Sequence, residues 1–378
     1  MRLGRGSDIR SLTGWIEKRL NLTEMFSFLT NFGLFPAELD TSLPLHEATA
    51  QALTKPMPSY ARWPRVLGIM SVLLFAFLAL TGVMLAFYFQ PTPSEAYESV
   101  TIIVRDVSFG WFVHQIHGWA ADALLLILLI RGWRLFFQGM YKAPRELLWM
   151  VAILTFLVAT HADLTGRPLG WSAQGYWTAV RAVDMLYSLP VLGPLFAFVI
   201  GGSQVDSLVL LRFYFLHVAV LPAILTGLFF LHFSSVRRVG LSHRSGEVQA
   251  GKHVYQAYLF NLLILIVLLF GTLVTLATII PSAFDQPADP FRTPPGARAP
   301  WYLLASHGFL ESFPAFVPRW LRGLVLEAIL TFCILLPFID RSPGRTARER
   351  RPAIVLGLAV LALWLLFTWI GYRLEVRG

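Results

Sequence analysis

The chain has 378 residues, 56% of them hydrophobic and only 14% charged. That apolar excess is more than a soluble core uses, so it excludes an ordinary soluble globule and points to an integral membrane protein. A net charge of +9 does not mark a nucleic-acid binder here, because the basic residues cluster in short loops beside apolar spans.

Residues 1–60 lack a long apolar core and a small-residue cleavage site, so no signal peptide is expected. Within them Ser11–Phe32 places Leu12, Trp15, Ile16, Leu20 and Leu22 roughly on one face. That is the pattern of an amphipathic helix, either in the membrane interface or packed on a soluble partner. Arg65–Phe89 is the first predicted span. It carries Gly68 and Gly82, 14 residues apart and so on nearly the same face. Glycines there let a planar ligand or another helix approach closely. Gln90–Ser108, with Pro91 and Pro93, reads as a polar connection.

Phe112–Phe137 is the second predicted span. His114 and His117 lie near its start, and Arg131 stands 14 residues past His117. A basic loop follows. Leu147–Leu164 is the third span, with His161, read as an interior histidine, and Asp163 near its end. Thr165–Asp206 is broken by Pro168, Pro190 and Pro194 and reads as short helices at the membrane surface. Phe213–Arg238 is the fourth span, with His217 and His232 set 15 residues apart. That spacing is about 22 Å of helix rise and leaves the two on one broad face. Histidine inside a membrane helix marks a functional site by default. Two facing helices with a histidine each can clamp a flat macrocycle between two imidazoles.

Tyr255–Ile280 is the fifth span, Pro281–Pro300 a proline-rich loop, and Trp301–Phe313 a short helix. Pro318–Ile339 is the sixth span and Pro352–Tyr372 the seventh, with the basic DRSPGRTARERR between them. The one cysteine, Cys333, lies in an apolar run and reads as a small buried hydrophobe, which excludes a disulfide framework, CxxCH attachment or cysteine-ligated cluster within this chain. Alternating the sides puts the N-terminus and the loops after spans two, four and six together. All are basic, which makes that side cytoplasmic and puts the C-terminus outside. His117 and His217 then lie near the outer face, His232 and Arg131 near the inner one.

The segments FGWFVHQIHGW, YKAPRELLWM, LRFYFLH with Pro222 and FFLHF after it, QPADPFRTP, and the Trp301–Tyr302 pair come in an order that resembles cytochrome b. This is the haem-bearing subunit of quinol-oxidising cytochrome bc complexes, and the likeness covers roughly residues 10–373. The resemblance implies an all-α membrane fold of seven transmembrane helices. Residues 1–60 would be a cytoplasmic segment with the amphipathic helix, 61–245 a haem-binding four-helix bundle, and 246–378 a three-helix C-terminal part. It implies His117 and His217 as the metal ligands of an outer haem b, with Gly82 and Gly166 as its glycine contacts. Gly68 and His232 match the inner set, but Arg131 stands at the second ligand position and Ala152 at a glycine position. Arginine has no lone pair for iron. One haem b per chain is therefore expected, with Arg131 either anchored at the inner headgroups or contacting a quinone or haem propionate. Arg212 joins the cofactor-binding candidates. The position of a haem-attaching cysteine in photosynthetic members is Val66 here.

The family's outer quinol site carries Pro-Glu-Trp-Tyr. Ala299, Pro300, Trp301 and Tyr302 stand there in this chain, so the glutamate is missing. Glu311 is either its replacement or a solvated loop charge. His307 is a second catalytic candidate, and Tyr302 completes the set. His114 stands where an arginine is common, as a propionate contact or an ordinary polar residue. The implied function is electron transfer between a membrane quinone or quinol and partner redox subunits, Rieske-type or c-type cytochrome, in a quinol-oxidising or quinone-reducing complex. The setting is the lipid of the cytoplasmic membrane, with a dimer as in family members. The alternative is a degenerate, haem-poor cytochrome b kept as a scaffold for redox partners.

Overall fold

The computed structural model describes residues 22–24, 27, 39–54, 56–57, 66–200, 205, 207–239, 253–281, 286–344, 346 and 348–374. The expected amphipathic helix over Ser11–Phe32 and the basic loop after the fourth span lie almost wholly outside them. The fold is all-α. In order come α1 (Leu45–Thr54), α2 (Val66–Ala86), α3 (Ala96–Arg105), α4 (Gly110–Phe137), α5 (Glu146–Gly166) and a 3₁₀ turn (Arg167–Gly170). Then follow α6 (Ala173–Tyr187), α7 (Leu192–Ile200), α8 (Ser207–Phe215), a π-turn (Leu216–Val220) and α9 (Leu221–Val239). The chain ends with α10 (Tyr255–Ile279), α11 (Leu304–Glu311), α12 (Arg319–Ile339) and α13 (Arg351–Arg373).

Six segments are long and apolar enough to cross a membrane: Val66–Ala86, Glu146–Gly170, Leu208–Val236, Phe260–Ile279, Arg319–Ile339 and Arg351–Arg373. The remaining expected span, the second in chain order, is the continuous 28-residue helix α4. It stands outside those six and carries His114, His117, Asp122, Arg131 and Arg134. The polar connection expected at Gln90–Ser108 contains α3 instead. Ala96, Ser99, Val100 and Ile103 form its buried stripe, the spacing of one helical face.

Two compact units divide the chain: residues 1–72 with 229–271, and 73–228 with 272–378. In the first, Leu39, Ala48 and Ala52 bury against Leu43 and Leu45, and Thr23 Oγ1 donates to the Leu43 carbonyl at 2.8 Å. The one strand pairing among the described residues joins β1 (Pro56–Met57) to β2 (His253–Val254), antiparallel.

The second unit is held by polar contacts placed where apolar packing leaves a backbone group unmet. Pro337 has no N–H, so inside α12 it leaves the Cys333 carbonyl without its helical donor. The Trp149 indole of α5 donates to that oxygen at 2.7 Å. Glu327 of α12, 7% exposed, accepts from the backbone N–H groups of Val191 and Leu192 at 3.1 and 2.7 Å. It thereby caps the start of α7, where the helix dipole favours negative charge. Helices α11 and α13 cross backbone to backbone: a Cβ on Gly308 would strike the Phe367 carbonyl, and one on Gly371 the Leu304 carbonyl.

The loop after α4 is tied to the loop after α12. Asp340 accepts from the Tyr141 hydroxyl and from Lys142 Nζ at 3.2 Å. Burial opposes the Asp340 charge, but hydrogen bonds from Ser342, Tyr141 and Lys142 win and bring its carboxyl down to about 2. Burial first, then its bond to Asp340, pushes the Tyr141 phenol up to about 12. Arg350, 2% exposed, donates to the carbonyls of Phe137 and Phe136 at 3.1 and 3.0 Å. A guanidinium at the C-terminal end of α4 satisfies carbonyls that the helix leaves open.

Candidate functional site

His117 stands on α4 and His217 in the π-turn. That turn has a local cause. Pro222 offers no N–H, and the Leu221 N–H reaches back to the Leu216 carbonyl, a five-residue step. The His217 Nδ1 meets the Ala162 carbonyl of α5 at 2.8 Å. A carbonyl only accepts, so Nδ1 carries the proton and Nε2 keeps its lone pair. His117 is fixed the same way by a different group. Its Nδ1 lies 2.8 Å from Thr81 Oγ1, whose own proton goes to the Phe77 carbonyl at 2.9 Å. Thr81 therefore accepts, and the Nε2 of His117 is also left with its lone pair.

The two ring centroids are 6.1 Å apart, with the planes at 70°. An imidazole nitrogen binds a metal at about 2.0–2.1 Å. Two such bonds in line, with the half-ring on each side, span about 6 Å. Gly82 and Gly166 face the imidazoles themselves. A Cβ on Gly82 would lie 3.3 Å from His117 Cε1, and one on Gly166 only 2.5 Å from His217 Cε1. Among the described residues no group of three or more His, Cys, Asp or Glu could hold a bare metal ion. The pair fits a metal that brings its other ligands with it in a plane.

A second constellation was only partly legible in the sequence. Arg167 donates to Asp163 at 2.6 Å and to Asp122 at 2.8 Å. Tyr302 donates its hydroxyl to Asp163 at 2.6 Å, and the Trp301 indole donates to Asp122 at 2.8 Å. The Trp301–Tyr302 pair is thus fastened to α4 and α5 by two carboxylates that share one guanidinium. Burial first, and then the Asp163 carboxylate, raise the Tyr302 phenol, which stays a donor. Asp122 and Arg167 escaped the sequence reading. Their signal was a lone charge, inside the second apolar run for Asp122 and just past the third for Arg167, which a topology count passes over.

His307 is 3% exposed and its Nε2 has no hydrogen-bond partner among the described residues. Burial first, then nearby Arg181, lower its pKa, so the ring is neutral at pH 7. Glu311 ends α11, exposed, one turn beyond it. Arg212 is half-buried in the last turn of α8. His161 bonds the Leu157 carbonyl through Nδ1 at 2.7 Å and stacks on Phe196 with centroids 5.0 Å apart. His114 is half-buried on α4, one turn before His117. Of the inner set, His232 belongs to the first unit and is 5% exposed; Arg131 and Ala152 belong to the second and are half-buried.

Residues 52–240 match the family described as Cytochrome b/b6/petB, and residues 287–376 match Cytochrome b(C-terminal)/b6/petD. The chain is 27% identical over 362 residues to cytochrome b of Allochromatium vinosum, covering 89% of this chain and 87% of that one. It is 32% identical over 201 residues to cytochrome b6 of Prochlorococcus marinus, covering 53% of this chain and 92% of that protein. Among solved structures it is similar to a chain of a hyperthermophilic respiratory Complex III. The TM-score is 0.76 at 25% identity, over 88% of this chain and 90% of the other.

Proposed function

This chain belongs to the cytochrome b family, and on that premise we propose that it is a membrane electron-transfer subunit with one haem b between His117 and His217, working between a quinone and partner redox subunits. The observation that carries this reading is the His117–His217 pair, 6.1 Å apart, each ring tied at Nδ1 so that Nε2 keeps its lone pair. Haem b in this place supplies a one-electron carrier. The chain's own contribution is to hold two imidazoles in one tautomer and to press each against a glycine.

The quinol reading rests on α11 and the residues before it. His307 offers a neutral ring with one unpartnered nitrogen, fit to take a proton from a quinol hydroxyl. Glu311 follows one turn on, exposed, and is placed to pass that proton to water. Tyr302 positions rather than accepts, because its hydroxyl is already given to Asp163. At the inner position Arg131 cannot ligate iron, so the proposal is one haem per chain. The remaining parts of the reading are seven crossings with α4 as the second, domains at 61–245 and 246–378, and basic loops on the cytoplasmic side. So are the cytoplasmic membrane, a Rieske-type or c-type partner, and a dimer.

Reduced-minus-oxidised absorption of the purified chain tests this. The expected result is a low-spin haem b band, lost in both His117→Ala and His217→Ala. A wild-type chain with no such band would leave the scaffold reading in its place.

A further inference from the structure

On α6 and α11 two sealed nitrogens meet no hydrogen-bond partner among the described residues: Arg181 Nε and His307 Nε2. The Arg181 side chain is 14% exposed. Its ion-pair partner, Asp184, is already committed, because both carboxylate oxygens accept from Arg319 of α12, one of them at 2.8 Å. Arg181 Nη1 stands 3.9 Å from the same carboxylate, beyond hydrogen-bond reach. The other carboxylate of the cluster, Glu311, is exposed at the end of α11, where water screens it. Arg181 is thus a largely buried cation whose counter-charge is spent elsewhere. His307 beside it is a buried ring with an open nitrogen. Both are costly to keep empty-handed. A ligand bringing an ionised oxygen answers both at once, since a guanidinium binds such an oxygen through charge-assisted hydrogen bonds.

We propose that the corner formed by α6 and α11 binds its ligand as an anion, with Arg181 holding an ionised hydroxyl of a quinone-type head beside His307. This rests on the quinol reading above and names the form in which the substrate is held. For a quinol the step is a proton transfer. The ligand O–H bond breaks, an N–H bond forms at His307 Nε2, and the electron pair stays on the oxygen, which faces Arg181. No electron leaves the head in this step. The charged groups facing His307 are Arg181, Asp184, Glu311 and Arg319, and Arg181 is the one that opposes its protonation most. With the anion seated between them, the imidazolium and the guanidinium share one counter-charge. When the anion leaves, the two cations repel and the ring gives its proton up. Arg181 therefore selects an ionised head over a neutral one of the same shape.

Equilibrium binding to the purified full chain at pH 7 tests this without any turnover. The probes are 2-hydroxy-1,4-naphthoquinone, which is ionised there, and its 2-methoxy ether, which carries no charge. The wild type is expected to hold the ionised compound about 10–100-fold more tightly, the worth of a hydrogen bond to a charged group. Arg181→Gln is expected to remove that preference and leave binding of the ether unchanged. Arg181→Lys is expected to keep part of it. Equal binding of the two compounds by the wild type, or a preference that survives Arg181→Gln, overturns the proposal. Binding of the ether alone overturns it and leaves the quinol reading standing, whereas binding of neither sinks both. Should Arg181→Gln fail to fold, hydrogen exchange of the wild type decides. Backbone protection over α6 and α11 that is stronger with the ionised compound than with the ether supports the proposal, and its absence there refutes it.

Discussion

Thr81 lies 2.8 Å from His117 Nδ1 and gives its own proton to the Phe77 carbonyl, so it meets the imidazole as an acceptor. Groups in that place fix the tautomer of a ligating histidine, and their loss typically costs about 10–100-fold in affinity. Thr81→Val keeps the shape and removes the acceptor. It is expected to weaken haem retention by that factor during dilution, while the protein stays folded. Retention equal to wild type would make the contact incidental.

The two glycines rank differently. Gly166→Ala would place a methyl 2.5 Å from His217 Cε1, on a ring already pinned by Ala162, whereas Gly82→Ala meets His117 Cε1 at 3.3 Å. The first contact forces a shift, and the second asks for a few tenths of an ångström. Haem per polypeptide is expected to drop sharply in Gly166→Ala and to change little in Gly82→Ala. The reverse order would mean that the glycines do not act through the imidazoles.

At the inner position, haem quantification is expected to give one haem b per chain. Arg131→His alone is expected to recover less second haem than Arg131→His combined with Ala152→Gly. Two haems in the wild type would refute this.

His307 and Glu311 can be separated by rate. A positioned base contributes about 10²–10⁴-fold. His307→Ala is expected to slow quinol oxidation by that range with the haem spectrum unchanged, and Glu311→Gln to slow it less. The wild-type rate should fall as pH drops through the lowered His307 pKa, where the ring becomes charged and can no longer accept. Turnover indifferent to His307 would leave Glu311 as the acceptor.

Asp340 makes a prediction about stability. Its folded pKa of about 2 lies below the ordinary carboxylate value, so its contribution is whole above about pH 4 and is lost as pH falls toward 2. At the water edge of the membrane this is of order 1 kcal/mol. Thermal unfolding of the wild type should lose stability across that window. Asp340→Asn should start lower and lose less. Parallel curves would show that Asp340 is not the group responsible.

The long helices were legible because apolar runs of that length have one use, and the histidines in them stood out. The His117–His217 pairing came from the resemblance to cytochrome b, with the alternation of sides putting both near one face. What stayed hidden was short range in space and long range in sequence. Helix α3 was masked by Pro91 and Pro93, although Ala96, Ser99, Val100 and Ile103 carried its period. Thr81 was one hydroxyl among many on an apolar helix. Asp122 and Arg167 are separated by 45 residues, and Tyr302 lies 139 residues from Asp163. No local pattern announces such a join; it exists only once α4, α5, the 3₁₀ turn and the loop before α11 have met.

The Trp149–Cys333 contact shows what such joins are for. Pro337 makes a defect in one helix and Trp149 carries the repair in another. In a membrane no water is at hand to mend the open carbonyl, which costs about 1–3 kcal/mol left bare. Apolar faces slide past one another with little preference, since lipid and leucine look alike to each other. A single missing N–H breaks that indifference. It marks one height along α12 and one side of it, so that α5 has a place to stop. The proline, which weakens its own helix, works as a ruler for the assembly of the whole.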